Sequence, residues 1–258
     1  MPLMTITSPG TYFIDTDMTQ SDPTDDAIRV AAGVNFVTIV LRGARIVGAG
    51  GPGSNNCGIN VLNSAAVTIL GQGGSIRGFT YGILGQNNFQ GRVTGVFVQD
   101  AYFRGIRWDG DDSLIAENDI RNITGATFTP DAFCMGIEVN GISSSSQVPK
   151  VLRNSIQNVA GVGAGESVGI SVTDKGMGAT VAHNVVKNTD ATPRPGSFGL
   201  WVGGASDVAA VHNHFEGYLN GATYSSGTAG RIDHNSYRNV TNPQVVPSAS
   251  VTVGVHDN

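Results

Sequence analysis

From the middle of the chain onward a glycine followed by an apolar residue recurs at Gly105-Ile106, Gly136-Ile137, Gly169-Ile170, Gly199-Leu200 and, more loosely, Gly221-Ala222. Each pair opens a run that alternates with period two, the period of a strand. If Ile106, Ile137, Ile170 and Leu200 point inward, so do Trp108, Val139, Val172, Val202 and Tyr224. The outward positions are then Arg107, Glu138, Ser171, Trp201 and Thr223, with Asp109, Asn140, Thr173, Gly203 and Ser225 two residues on. A saccharide site needs a flat apolar plate, carboxylates, and amide or guanidinium donors, and this face has all of them. Glu138, Asp109 and Arg107 are the expected catalytic residues. Glu138 or an Asp would be the base and Arg107 would neutralise a substrate carboxylate; for hydrolysis, Asp109 and Glu138 would form the carboxylate pair. Trp201, Asn140, Asp111 and Lys175 are the expected substrate contacts. The plainer reading is a polar sheet face with an Arg107–Glu138 ladder pair.

Other clusters suggest less. Asp109-Gly110-Asp111-Asp112, with Asp131 and Glu138 approaching from the next coil, could hold Ca²⁺ through oxygen ligands, or the Asp residues could face water around an Asp-Gly turn. No cofactor is required and no metal ligand is assigned. His183, His212 and His234 each precede an Asn and share an outward column, with His214 on an adjacent one. Three stacked imidazoles could bind a transition metal, but side chains stacked at strand spacing run parallel rather than converging on an ion. Gly48 to Gly53 is glycine-rich, but no helix signal follows it, so it reads as a plain loop rather than a phosphate cradle. Cys57 and Cys134 precede Gly58-Ile59 and Gly136-Ile137. About three coils, roughly 14 Å, separate them, which is too far for a disulfide, so both read as reduced core residues.

The elements that position these residues are repeats. Asn118, Asn154, Asn184 and Asn235 each follow a branched or small apolar run, and Asn122, Asn158, Asn188 and Asn239 come four residues later. Asn213 leads a degenerate copy with Gly217 in the second place, and the leading Asn recurs at spacings of 36, 30, 29 and 22. Units of this size that cannot bury an apolar face alone indicate a solenoid. Inside each unit the period is that of strands, and no window shows a helical stripe. Gly and Asn, which tolerate left-handed backbone, punctuate the strands. Equivalent Asn residues are expected to stack as an amide ladder, a structural rather than chemical role.

The phrase Gly-Ile-x-Val followed by Val-x-x-Asn-x-Ile-x-Asn resembles the right-handed parallel β-helix repeats of the pectate-lyase-like superfamily. The opening does so too, in Gly10 to Ile14, Val37 to Gly43 and Gly74 to Phe79. The resemblance spans roughly Gly10 to Thr241 and implies an all-β, single-stranded right-handed parallel β-helix. It implies no single activity, because lyases, hydrolases, epimerases and phage tailspikes share the fold. The Asn188-Thr189-Asp190 run falls after Gly110-Asp111-Asp112, the reverse of the polygalacturonase order, and there is no Gly-His-Gly. The Asp-Pro-His of alginate epimerases and the Trp-x-Asp-His of pectate lyases are absent.

One solenoid domain accounts for the 258 residues, with residues 1–33 as an opening or capping segment and 241–258 as a C-terminal tail. Thirty-six Gly and twenty Asn, against 14% charged residues, suit a turn-rich β structure. The net charge of −5 and only three Lys argue against nucleic acid or an anionic membrane as partner. No secretory signal and no membrane-span-length segment is evident, so the compartment stays open between the cytoplasm and export, either with the signal removed or by a non-classical route. The expected function is a polysaccharide lyase, epimerase or hydrolase acting along the outward face. The alternative is a non-catalytic structural or carbohydrate-binding β-helix, such as a fibre or tail component. Pairing through the terminal coils could make it a homo-oligomer.

Overall fold

The computed structural model of the chain describes residues 1–51, 54–127, 130–141, 148–174, 178–189, 193–205, 207–247 and 250–255. No helix occurs among them. Three parallel sheets of ten, ten and nine strands wrap one long core, and the parallel crossovers make a right-handed β-helix. Each of the first nine coils contributes one strand to each sheet in turn, and the tenth adds one to the first and second sheets. Sheet 1 is built, in coil order, from Met4–Ile6, Ile28–Val30, Cys57–Leu62, Tyr81–Phe89, Arg104–Asp111, Cys134–Gly141, Ser167–Asp174, Ser197–Gly203, Asn220–Tyr224 and Asn242–Val245.

Stacking in register turns the sequence repeat into columns. Ile59, Ile83, Ile106, Ile137, Ile170, Leu200 and Ala222 form one inward column of sheet 1. Ile39 to Ile232 do the same in sheet 2, and Ile46 to Phe215 in sheet 3. All of these are fully buried. Branched side chains repeated at strand spacing fill such a core without gaps. Trp108 and Tyr224 lie inside it, as their parity predicts.

Two features depart from simple alternation. The first is the glycine before each inward Ile. A Cβ added at Gly105 would lie 2.6 Å from Ile120 Cγ2, inside the core. Gly105 and the buried Ile106 therefore face inward in succession, and the residue before them emerges on the outer face. The second is the turn from sheet 2 to sheet 3. The left-handed residue there is not the leading Asn, as its conformational preference suggests, but the residue before it: Glu117, Arg153, His183, His212 and His234 have φ between 50° and 59°. The second Asn does adopt this conformation at positions 122, 158 and 239.

The leading Asn residues form the expected ladder, buried from coil five to coil nine. Asn118 donates from N and Nδ2 to Asn154 Oδ1, both at 3.0 Å, and from Nδ2 to Val93 O at 3.0 Å. Asn154 repeats this with Asn184 and Ile115 O, Asn184 with Asn213 and Val151 O, and Asn213 with Asn235 and Val181 O.

The ends wind rather than cap. Residues 1–33 supply coil one and the first strand of coil two, Ile28–Val30. In the tail, Asn242–Val245 and Val251–Val253 add parallel strands to sheets 1 and 2. Cys57 and Cys134 are buried and free, and burial pushes both thiols up.

Candidate functional site

The outward column of sheet 1 is continuous: Arg29, Asn60, Leu84, Arg107, Glu138, Ser171, Trp201 and Thr223 pair in succession. The neighbouring column runs Asp109, Asn140, Thr173, Gly203. These are the columns expected from alternation. Although they face away from the core, they are not freely exposed: Glu138 is 7% and Asn140 6% exposed.

At coils five and six the polar groups join into one network. Arg107 binds Asp109 with Nε and Nη2, at 3.1 Å to Oδ1 and 3.0 Å to Oδ2. Its Nη1 has no hydrogen bond among the described residues. Asn140 Nδ2 bridges the two carboxylates, donating to Asp109 Oδ1 at 2.6 Å and to Glu138 Oε1 at 3.2 Å. Thr173 Oγ1 donates to Asn140 Oδ1, which fixes the carboxamide's orientation. Glu138 Oε2 accepts from Arg104 Nε and lies 3.9 Å from Arg107 Nε.

Arg104 is the member that sequence reasoning missed. It is the residue before Gly105, and the doubled inward step at Gly105-Ile106 returns it to the outer face. It is buried, lies 3.6 Å over the Phe103 ring, and donates to Phe133 O. Tyr81, also before a glycine, pairs with Arg104 in register. The signal available in the sequence was the identity of the residue preceding each Gly-apolar pair.

Burial alone would raise the Glu138 carboxyl, but Arg104, then Arg107, and hydrogen bonds from Arg104 and Asn140 outweigh it and hold the group below the usual range. Burial pushes the Tyr81 phenol up, against the pull of Arg104 and Arg107. At neutral pH the site therefore pairs an ionised carboxylate with a protonated phenol.

Trp201 stands three strands beyond Arg107 in the same column. Its indole lies across its own strand, over Gly203, where an added Cβ would meet Cζ2 at 3.0 Å. The hydroxyls of Ser171 and Thr223, one strand to either side, are buried without a hydrogen-bond partner among the described residues. Trp201 thus offers a half-buried ring beside two unused hydroxyls.

Other expected members do not join. Asp111 is 1% exposed at the end of its strand and is closed to a ligand on this face. Lys175 lies outside the described residues. Asp131 accepts from Ala164 N at 2.8 Å within the loops instead of approaching the cluster. Among the described residues no three His, Cys, Asp or Glu side chains gather to hold a metal. Arg107 already occupies Asp109, so the Asp109–Asp112 run is a poor fit to Ca²⁺. His183, His212 and His234 stack at 5.0 Å between centroids, at interplanar angles of 4° and 30°, and so do not converge their nitrogens on one ion.

No family model and no curated protein matches the sequence. Among solved structures, the A-module of a mannuronan C-5 epimerase from Azotobacter vinelandii is similar over 98% of this chain and 91% of its own, at 12% identity and a TM-score of 0.51. An alginate lyase from Paenibacillus sp. str. FPU-7 aligns over 95% of this chain and 99% of its own, at 16% identity and a TM-score of 0.45. At such identities the likeness is one of fold, and the chain is a right-handed parallel β-helix.

Proposed function

We propose that the outward face of sheet 1 binds an acidic polysaccharide and removes the proton next to a uronate carboxylate, the step common to lyase and epimerase chemistry. The observation that carries this reading is Glu138, held ionised between Arg104 and Arg107 and accompanied by the protonated Tyr81. Arg107 Nη1 is the donor for the substrate carboxylate, where it also stabilises charge that builds up as the proton leaves. A carboxylate bound there takes up part of the guanidinium charge that keeps Glu138 acidic. The Glu138 value then rises, and the carboxylate becomes a stronger base only when substrate is in place. Tyr81 supplies a proton, either to the leaving glycosidic oxygen or to the opposite face of the sugar. Hydrolysis fits less well, because it needs a carboxyl held protonated, and Glu138 is shifted the other way. That the similar fold of the Azotobacter protein is a mannuronan epimerase is consistent with this choice.

A second reading, a binding face without catalysis, draws on the fact that both guanidiniums already have carboxylate partners. Incubation with mannuronate, guluronate and galacturonate polymers in D₂O separates the two. Deuterium at C5, or an unsaturated product by ultraviolet absorbance, is expected for the wild type and lost in Glu138→Gln. Binding without exchange or cleavage leaves the second reading; new reducing ends without unsaturation would point to a hydrolase; no binding to any polyuronate sinks both.

A further inference from the structure

The Arg107 arrangement occurs twice on the same face. In coils two and three, Asp26 is 3% exposed and its Oδ2 accepts from Arg29 Nε at 2.8 Å, Arg29 Nη2 at 2.7 Å and Asn60 Nδ2 at 2.9 Å. In coils five and six, Asp109 accepts from Arg107 Nε and Nη2 and from Asn140 Nδ2. In both cases the Arg and the Asn lie on successive strands of sheet 1. In both, the carboxylate takes the Nε–Nη2 edge of the guanidinium and leaves Nη1 without a bond among the described residues. The outer Nη1–Nη2 edge is the fork that binds a carboxylate through two parallel hydrogen bonds.

Arg29 and Arg107 share one column, three strands apart through Asn60 and Leu84, a separation of about 14 Å. The Arg29 side chain is 38% exposed. Asp26 is anchored from the other side by Cys57 N at 3.0 Å, so the clamp is rigid before any ligand arrives. Asn60 Oδ1 is buried with no hydrogen-bond partner among the described residues. What coils two and three lack is the equivalent of Glu138: the residue beside Arg29 in the column is Asn60. The second clamp can hold an anion but has no base next to it.

We propose that Arg29, held by Asp26 and Asn60, is a second carboxylate-binding subsite for a linear polyuronate chain that lies along the sheet 1 column and reacts at Arg107 and Glu138. This rests on the proposed function. An extended chain of pyranoses advances by close to one strand spacing per residue. A polymer with a carboxylate on every sugar therefore brings one to each clamp, whereas a trimer seated at Arg107 falls short of Arg29.

The test is calorimetric titration of wild type, Arg29→Gln, Arg29→Lys and Arg107→Gln with a trimer and an octamer of mannuronate, guluronate or galacturonate, whichever polymer the wild type binds. The wild type is expected to bind the octamer about tenfold more tightly than the trimer, the worth of one charge-assisted contact. Arg29→Gln should erase that advantage and leave the trimer's affinity where it was. Arg29→Lys, which keeps the charge on Asp26 paired, should retain only part of it, and it remains informative if the Gln variant unfolds. An octamer no tighter than the trimer in the wild type, or an advantage that survives both Arg29 variants, overturns the subsite. Loss of all binding in Arg107→Gln with none in Arg29→Gln removes the second clamp alone. Full binding in Arg107→Gln removes the proposed function itself.

Discussion

Between sheets 2 and 3, coils two and three turn through four residues, Leu41 to Ala44 and Gly71 to Gly74, whereas coils five to nine turn through two. The early turns close on themselves. Ala44 N donates to Leu41 O at 2.9 Å and Gly74 N to Gly71 O at 2.7 Å, with Gly43 and Gly73 taking the left-handed backbone. The later turns close on their neighbours through the Asn ladder, and there Glu117, Arg153 and three His residues hold left-handed backbone that glycine would adopt without strain. Coil four is the joint: Gly95 is left-handed, and Val96 N donates to Asn118 Oδ1 at 3.0 Å. One corner is therefore made stable locally in one half and collectively in the other. The ladder begins at Asn118, in the coil that carries Arg107, so the region with the candidate chemistry has the collective corner beneath it. The Arg29 clamp stands on the local one.

Substitutions should respond to that division. The largest effect is expected from Asn154→Ala. It leaves Asn118 N and Nδ2, Ile115 O and Asn184 Oδ1 short of partners inside the stack, at a cost of about 3 kcal/mol. Urea unfolding measures it, and an unchanged midpoint would mean that the later corners are as local as the early ones. Glu138→Gln comes next, at about 2 kcal/mol, because it takes the charge away from the buried Arg104. Its pH signature is more telling. The folded carboxyl lies below the usual value near 4.5, so its contribution is complete above that value and is lost as pH falls through the folded one. Thermal midpoints of the Gln variant should vary less across that acid window; identical profiles would show that the two guanidiniums do not hold the carboxylate.

Gly43→Ala probes the other half. A Cβ there meets nothing within 4 Å, so only the φ of 75° penalises it, by about 1 kcal/mol. A loss as large as that of Asn154→Ala would erase the contrast. The smallest change is expected for His212→Asn. It exchanges one left-handed side chain for a more tolerant one and gives up the ring stack with His183 and His234, so stability should stay within about 0.5 kcal/mol. A larger loss would mean that the stacked imidazoles help to hold the corner.

Much of this architecture is legible in the sequence. Gly-Ile-x-Val fixes parity, and parity alone separates Trp108 inside from Trp201 outside and aligns Arg107 with Glu138. The ladder is legible because stacking favours the same amide at every level. Arg104 and Tyr81 escape the pattern for a physical reason: at Gly105-Ile106 two successive residues face inward, so period two fails one residue before each run. Asp26 and Arg29 escape because coil two opens with Ala27-Ile28 rather than a Gly-apolar pair. The left-handed position lies one residue before the leading Asn, which conformational preference does not reveal, because the ladder's bonds make that position tolerable for His or Arg.

The direction of the ladder bonds bears on how the chain winds. Asn118 N, Asn154 N, Asn184 N and Asn213 N each donate to a carboxamide one coil closer to the C-terminus. A coil emerging during synthesis completes the amide of the coil before it and leaves its own waiting for the next. An incomplete chain that stops anywhere between coils five and eight therefore carries the same single defect at its growing end. Winding along this stretch then proceeds by steps of nearly equal free energy, with no favoured stopping point.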